Sequence, residues 1–255
     1  MKTMVATSRS AFFEAWGNRA GFWTQVLTMV ANDIAWVVFW VLFFREIGEL
    51  RGWDTSRVLM LQAMLTVAGG IVLGFFYNAR AIGRMAVGGE LDAALALPVS
   101  PLSYLLVRRV NTTNLGDIAF GVVLFAIAGN PNPERIAIFV VGVVTAVVTL
   151  TGFLVAIGSL AFWAGRTDAG DLGFQAMLVF ASYPVDVFGG AARMFLFTVI
   201  PAAFVAAVPA RLVDDFDLGV AATCLAAAAV FAALGWVMFH AGLKRYTSGA
   251  VWTRA

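Results

Sequence analysis

VGVVTAVVTLTGFLVAIGSLAF, Val141 to Phe162, is a run of 22 residues without one charged side chain. At ~1.5 Å of rise per residue, a helix of that length crosses the ~30 Å hydrocarbon core of a bilayer. The whole chain is built to match. Hydrophobic residues make up 61% of its 255 residues and charged residues 13%, against roughly 45–50% and ~25% in ordinary globular proteins. Inside a membrane every backbone polar group must find its partner within the structure, which leaves helices or a closed barrel. A barrel would read as ten-residue alternating segments, and none stands out. The expected fold is all-α, a polytopic membrane bundle forming a single domain over 1–255.

Working outward, apolar segments of spanning length fall at about Phe22–Phe44, Val58–Tyr77, Val110–Ala128, Ile136–Ala164 and Leu218–Leu243. The stretch Phe174–Val213 is broken by Tyr183-Pro184, Gly189-Gly190, Pro201 and Pro209. Forty residues barely hold two spans of ~20 and a turn. The pattern therefore predicts a fifth span that continues into a re-entrant or extracytoplasmic helical segment over 184–213, giving six spans. Lys and Arg test the orientation, because they gather on the cytoplasmic side. With both termini inside, eleven of the 17 fall on inner segments, and the outer six include Arg45, Arg51 and Arg57 in one loop. Met1–Ala20 has no apolar run of the kind a cleaved secretory signal carries. Its Phe12, Phe13 and Trp16, set among Arg9, Glu14 and Arg19, predict a helix lying along the inner face over 1–21.

The inventory excludes several chemistries. His240 is the single histidine and Cys224 the single cysteine, so a His-rich metal site, a Ser-His-Asp triad and an internal disulfide lack material. Lys2 and Lys244 are the only lysines, and neither follows a phosphate-binding glycine loop. Nothing in the charge balance of +2 points to nucleic acid.

Two polar features remain. Ionisable residues inside spans are functional candidates because charge in hydrocarbon is costly. Asn32 and Asp33 lie mid-way along the first span, and Asn111, Asn114 and Asp117 recur every three residues at the start of the third, which places them roughly on one helical face. They line a polar pathway or cross-link helices, and the residues alone leave both open. The second feature is the 79–109 loop, Gly88-Gly89-Glu90-Leu91-Asp92 through Pro98-Val99-Ser100-Pro101, bracketed by Arg80, Arg84, Arg108 and Arg109. Its prolines cut any long helix into short rigid pieces. The step Gly70–Gly74 is a GxxxG face for close helix packing, within the bundle or across a dimer.

Motifs in order along nearly the whole chain carry a resemblance. They are Gly52-Trp53, Gly89-Glu90-Leu91-Asp92 with Pro98 and Pro101, Leu115-Gly116-Asp117, Ser182-Tyr183-Pro184, Ile200-Pro201-Ala202-Ala203-Phe204 leading to Pro209, and Gly242-Leu243-Lys244-Arg245-Tyr246-Thr247-Ser248-Gly249. The chain resembles the membrane subunits of ABC type-2 exporters, in the branch of six-span permeases encoded apart from their ATPase. The resemblance implies a non-catalytic permease in a bacterial plasma or inner membrane, paired with a second permease, identical or related. A separate ATP-binding subunit would hold ATP and magnesium, with no cofactor on this chain. It also implies that the 79–109 loop couples to that ATPase, with Arg80, Arg84, Glu90, Asp92, Pro98, Pro101, Arg108 and Arg109 as candidate residues. Reversing Glu90 and Asp92 is expected to weaken the complex, whereas Asp33→Asn would alter transport or packing without detaching the partner. Apolar walls favour a small or amphipathic cargo over a highly charged polymer. The alternative is a stand-alone secondary transporter or channel with Asp33 and Asp117 as ion-coupling groups.

Overall fold

The computed structural model describes residues 19–165 and 168–246, where the structure is helical apart from one isolated bridge between Leu50 and Trp53. The chain runs through α1 (Arg19–Ile47) and α2 (Thr55–Phe75). A 3-10 turn at Tyr77–Ala81 then leads to three short helices, α3 (Ile82–Val87), α4 (Leu91–Leu95) and α5 (Pro101–Val107). A second 3-10 turn, Thr112–Asn114, opens α6 (Leu115–Ala128), followed by α7 (Pro133–Ser159), α8 (Ala161–Ala164) and α9 (Ala169–Ala181). After a turn at Val185–Val187 come α10 (Gly190–Thr198), a π-type turn at Ala203–Ala207 running into α11 (Val208–Asp214), and α12 (Leu218–Leu243).

Local chemistry sets the helix starts. Asp54, Asn132 and Asp217 are extended N-caps whose side chains accept from the backbone N–H three residues on, at 2.9, 2.8 and 2.8 Å. Each such cap contributes about 1 kcal/mol by satisfying an otherwise orphaned donor. Pro133 follows Asn132 as the first helical residue, where its missing N–H costs nothing. Gly48, with φ +80, turns the chain out of α1.

Among the described residues four helices are long and apolar enough to cross a bilayer: α1, α2, α7 with α8, and α12. Two bent pairs raise the number to six if each counts as one span: α5 with the segment Thr112–Ala128, bent by 68°, and α10 with Ala203–Asp214, bent by 70°. The expected first, second and last spans thus correspond to single helices, and the fourth to α7 continued by α8. The expected third and fifth do not. α6 has 14 residues and α9 has 13, about 20 Å each against the ~30 Å core. Asn111 holds its own side chain against Thr113 and delays α6. Pro184, with φ −56 at the head of the next turn, prevents α9 from continuing. The interfacial helix expected over 1–21 lies outside the described residues except for its last three, which open α1, and Arg166, Arg254 and the motif's 247–249 also lie outside them.

Packing is organised around α2. In its apolar window 72% of the residues are buried, against 6% in that of α1. Glycines bring the helices together. A Cβ on Gly121 of α6 would stand 2.9 Å from the Ala63 carbonyl of α2, and one on Gly70 would stand 3.1 Å from the Ile118 backbone nitrogen. The Gly70–Gly74 step therefore packs inside this chain. At the other seam, a Cβ on Gly235 of α12 would lie 2.6 Å from the Gly152 carbonyl oxygen of α7, and one on Gly152 would lie 2.7 Å from the Ala232 nitrogen. α1 leans on this core through an aromatic ladder, with Trp40 5.6 Å and Trp36 5.8 Å from Tyr183. Gly152→Ala should lower stability by about 1–3 kcal/mol through overpacking. Gly69→Ala, where an added Cβ meets nothing within 4 Å, should not, and thermal unfolding of the two purified variants checks the contrast.

Candidate functional site

The 79–109 loop folds back under α2 as a compact cap. Leu91, Ala94 and Leu105 are fully buried. Asn78, itself buried, donates from Nδ2 to the Leu105 carbonyl at 2.8 Å, and the Asn111 N–H donates to the Gly74 carbonyl at 2.8 Å. Gly89, with φ +76, makes the turn between α3 and α4, a conformation that glycine adopts without strain. Pro101 opens α5 behind the extended Ser100.

Five of the loop's six charges are engaged within the chain. Arg80 pairs with Asp171 of α9 at 3.5 Å, lies 4.5 Å over the Tyr77 ring and donates to the Tyr77 hydroxyl at 2.7 Å. Arg84 joins Arg80 on the same carboxylate, and Arg108 pairs with Glu90. The Tyr246 hydroxyl, just past α12, donates to Asp92 Oδ1 at 2.9 Å. These contacts tie the loop to the start of α9 and to the end of α12. Beyond them, Leu95-Ala96-Leu97-Pro98-Val99-Ser100 is exposed throughout, with Leu97 at 40% and Val99 at 53%. Arg109, past the end of α5, is also exposed.

The intramembrane polar residues meet along a groove between α1, α2 and α6. A lower lobe of about 380 Å³ is lined by Gln25, Tyr77, Arg80, Asn111, Thr113 and Asn114, among others. An upper lobe of about 410 Å³ is lined by Asn32, Asp33, Trp36, Gln62, Thr66, Asp117 and Ser182, among others. The lobes share Thr28, Met29 and Leu73. Asn111, Asn114 and Asp117 do not form a single helical stripe, because Asn111 is extended and Asn114 sits in the 3-10 turn. They are divided between the two lobes.

At the opposite end of α9 a second carboxylate gathers partners. Asp186 accepts from Trp53 Nε1 at 2.9 Å and pairs with Arg193 at 2.9 Å and with Arg211. Arg51 donates to its backbone carbonyl at 2.6 Å. Arg211 also lies 4.8 Å over the ring of Trp53, which is fully buried. The cluster joins the α1–α2 loop, α10 and α11. The candidate residues of this segment are placed as follows: Tyr183 packs on α1, Pro184 and Pro201 are buried at the breaks, and Pro209 sits in the first turn of α11.

With this geometry in view, the family comparison is decisive. The model of the ABC-2 family transporter protein matches residues 30–250, from the first half of α1 to beyond α12. The chain belongs to the ABC-2 transporter family. No curated protein and no solved structure gives a significant match. As an ABC-2 family protein with several long apolar helices, it is a multi-pass membrane protein of the permease type.

Sequence reasoning passed over Asp171 and Asp186, the two acids on which this ABC-2 chain's arginines converge. Each lies at the edge of an apolar helix, Asp171 three residues after Asp168 and Asp186 alone in its stretch, and that position is the signal available. Asp186→Asn should lower stability by about 1–2 kcal/mol, the arginines being too exposed for the full cost of a buried pair. In thermal unfolding, the loss from Asp186→Asn combined with Arg211→Ala should fall short of the sum of the single losses.

Proposed function

We propose that the chain is the non-catalytic permease subunit of an ATP-binding cassette exporter, working as a dimer in a bacterial plasma membrane. A separate subunit binds ATP and magnesium and drives it. The observation that carries this reading is the 79–109 cap, with five of its six charges engaged inside the chain and an apolar ridge, Leu95 to Val99, left facing outward. An exposed apolar ridge on a rigid cap suits docking to a protein. The ion pairs behind it suit the transmission of a push into α9 and α12. α1, so little of it buried within the chain, is suited to face the second permease or lipid.

In this scheme the coupling set divides its labour. Arg80, Arg84, Glu90, Asp92 and Arg108 brace the cap, Pro98 and Pro101 fix the ridge, and Arg109 is placed to meet the partner. Leu97→Asp with Val99→Asp should abolish co-purification of the ATPase at normal membrane abundance, since neither side chain is buried in the bundle. Retention of a fully coupled ATPase would overturn the docking assignment. Arg84→Ala should leave the ATPase bound but lower coupled transport, a split read by measuring co-purification and transport on the same preparation.

Both termini are placed in the cytoplasm, on the side of the cap. Single cysteines at Thr55 and Asn132 should label from outside the cell, and one at Gly88 only after permeabilisation. Outside labelling of Gly88 would invert the scheme. The groove with Asp33 and Asp117 supports a second reading, a transporter coupled to an ion gradient, which predicts cargo movement by the chain reconstituted without any ATPase.

A further inference from the structure

The two-lobed groove between α1, α2 and α6 carries an imbalance that neither docking nor packing uses. Asp33 and Asp117 both line the upper lobe, and among the described residues no basic one lines it with them. The base lining the lower lobe, Arg80, shares the Asp171 carboxylate with Arg84, so the positive charge of the groove lies at that end and the uncompensated carboxylates at the other. Two carboxylates at membrane depth without a counter-charge are costly, and a cation entering the groove would relieve that cost.

A second observation concerns hydrogen bonding. Asn114, 1% exposed, lines the lower lobe and has no partner for its Nδ2 among the described residues. Asp33 Oδ2 is a shielded acceptor with none either. Orphaned buried polar atoms of both kinds in one groove call for a ligand or water to satisfy them. Trp36 adds an aromatic wall in the upper lobe, which suits an organic cation. Leu65, Leu73 and Leu178 supply apolar surface around the carboxylates. Each lobe is of a size that holds a small molecule.

We propose that this groove is a binding site for amphipathic organic cations, the positive centre lying between Asp33 and Asp117 and an acceptor atom of the ligand meeting Asn114. This rests on the permease reading for its meaning as a cargo site. The chemistry of the site itself does not depend on that reading. α1 forms one wall and is the least buried of the long helices, so the groove can open sideways to lipid, where such molecules accumulate.

The test is equilibrium binding of tritiated tetraphenylphosphonium to the full chain in lipid nanodiscs, with empty discs as the blank. Tetraphenylborate, an anion of the same shape, is measured in parallel. Saturable binding of the cation and not of the borate is expected. Replacing both Asp33 and Asp117 by Asn should weaken it about ten- to hundred-fold, the range a charge pair of intermediate screening allows. Asp33→Glu should retain it. Equal binding of cation and anion by the wild-type chain, which needs no variant to fold, would overturn the proposal. So would unchanged affinity in the double Asn variant. Co-purification of the ATPase is scored on the same preparations. A chain that holds its ATPase but not the cation sinks the site alone, and one that binds the cation but takes no ATPase sinks the exporter reading alone.

Discussion

Helices α7 and α12 meet backbone to backbone at Gly152 and Gly235, and α2 meets α6 in the same way at Gly70 and Gly121. Lipid tails are as apolar as leucine, so no hydrophobic force drives these helices together, and association depends on close van der Waals contact. A side chain at any of the four positions would hold the axes apart and thin out every contact along the seam. The burial of α2 follows from these approaches, and so does the placing of the groove, since Gly70 is where the Asp117 turn of α6 comes against α2. The remaining helices are hung on this frame by aromatic and polar contacts.

Polar contacts are concentrated at the two ends of α9. Asp171 opens the helix and takes Arg80 and Arg84. Asp186 lies just beyond its end and takes Arg193, Arg211 and the Trp53 indole. A helix of 13 residues is too short to be held by a bilayer alone, and these clamps fix it from both sides. They also join parts that are distant in sequence: the α2–α6 cap at one end, and the α1–α2 loop with the α10–α11 hairpin at the other. α9 is thereby a strut between the two polar margins of the protein.

Much of this was written in the sequence at the level of elements. The last span, read at about Leu218–Leu243, was legible because its apolar run is unbroken, and the Asp217 cap fixes where it starts. The cap's short helices followed from Gly89, Pro98 and Pro101. The third and fifth spans were not legible at their true length, because hydropathy does not register that Asn111 binds its own neighbours or that Pro184 stops a helix whose apolar character continues. For the candidate residues the types were right but the partners were hidden. Glu90, Asp92 and Arg108 stood out as charges at a surface loop, while the groups that engage them, Tyr246 above all, come from up to 154 positions away. Pairing across such a separation is set by the packing of the seams, which one sequence does not display. The groove is a similar case: Asp33 and Asp117 were conspicuous singly, and their shared cavity follows only from the approach of α6 to α2.

The cap's internal accounting of charge has a consequence for the solution conditions under which a complex persists. With Arg80, Arg84, Arg108, Glu90 and Asp92 all committed inside the chain, the ridge from Leu95 to Ser100 carries no charge of its own, and Arg109 is the one charge of the loop outside these contacts. A partner docked there as proposed would gain chiefly by releasing water from Leu95, Leu97 and Val99, a contribution that mobile ions do not screen. Such a joint would withstand a high-salt wash that strips charge-held peripheral proteins from membranes. It loosens in the cold, where the release of water is worth less.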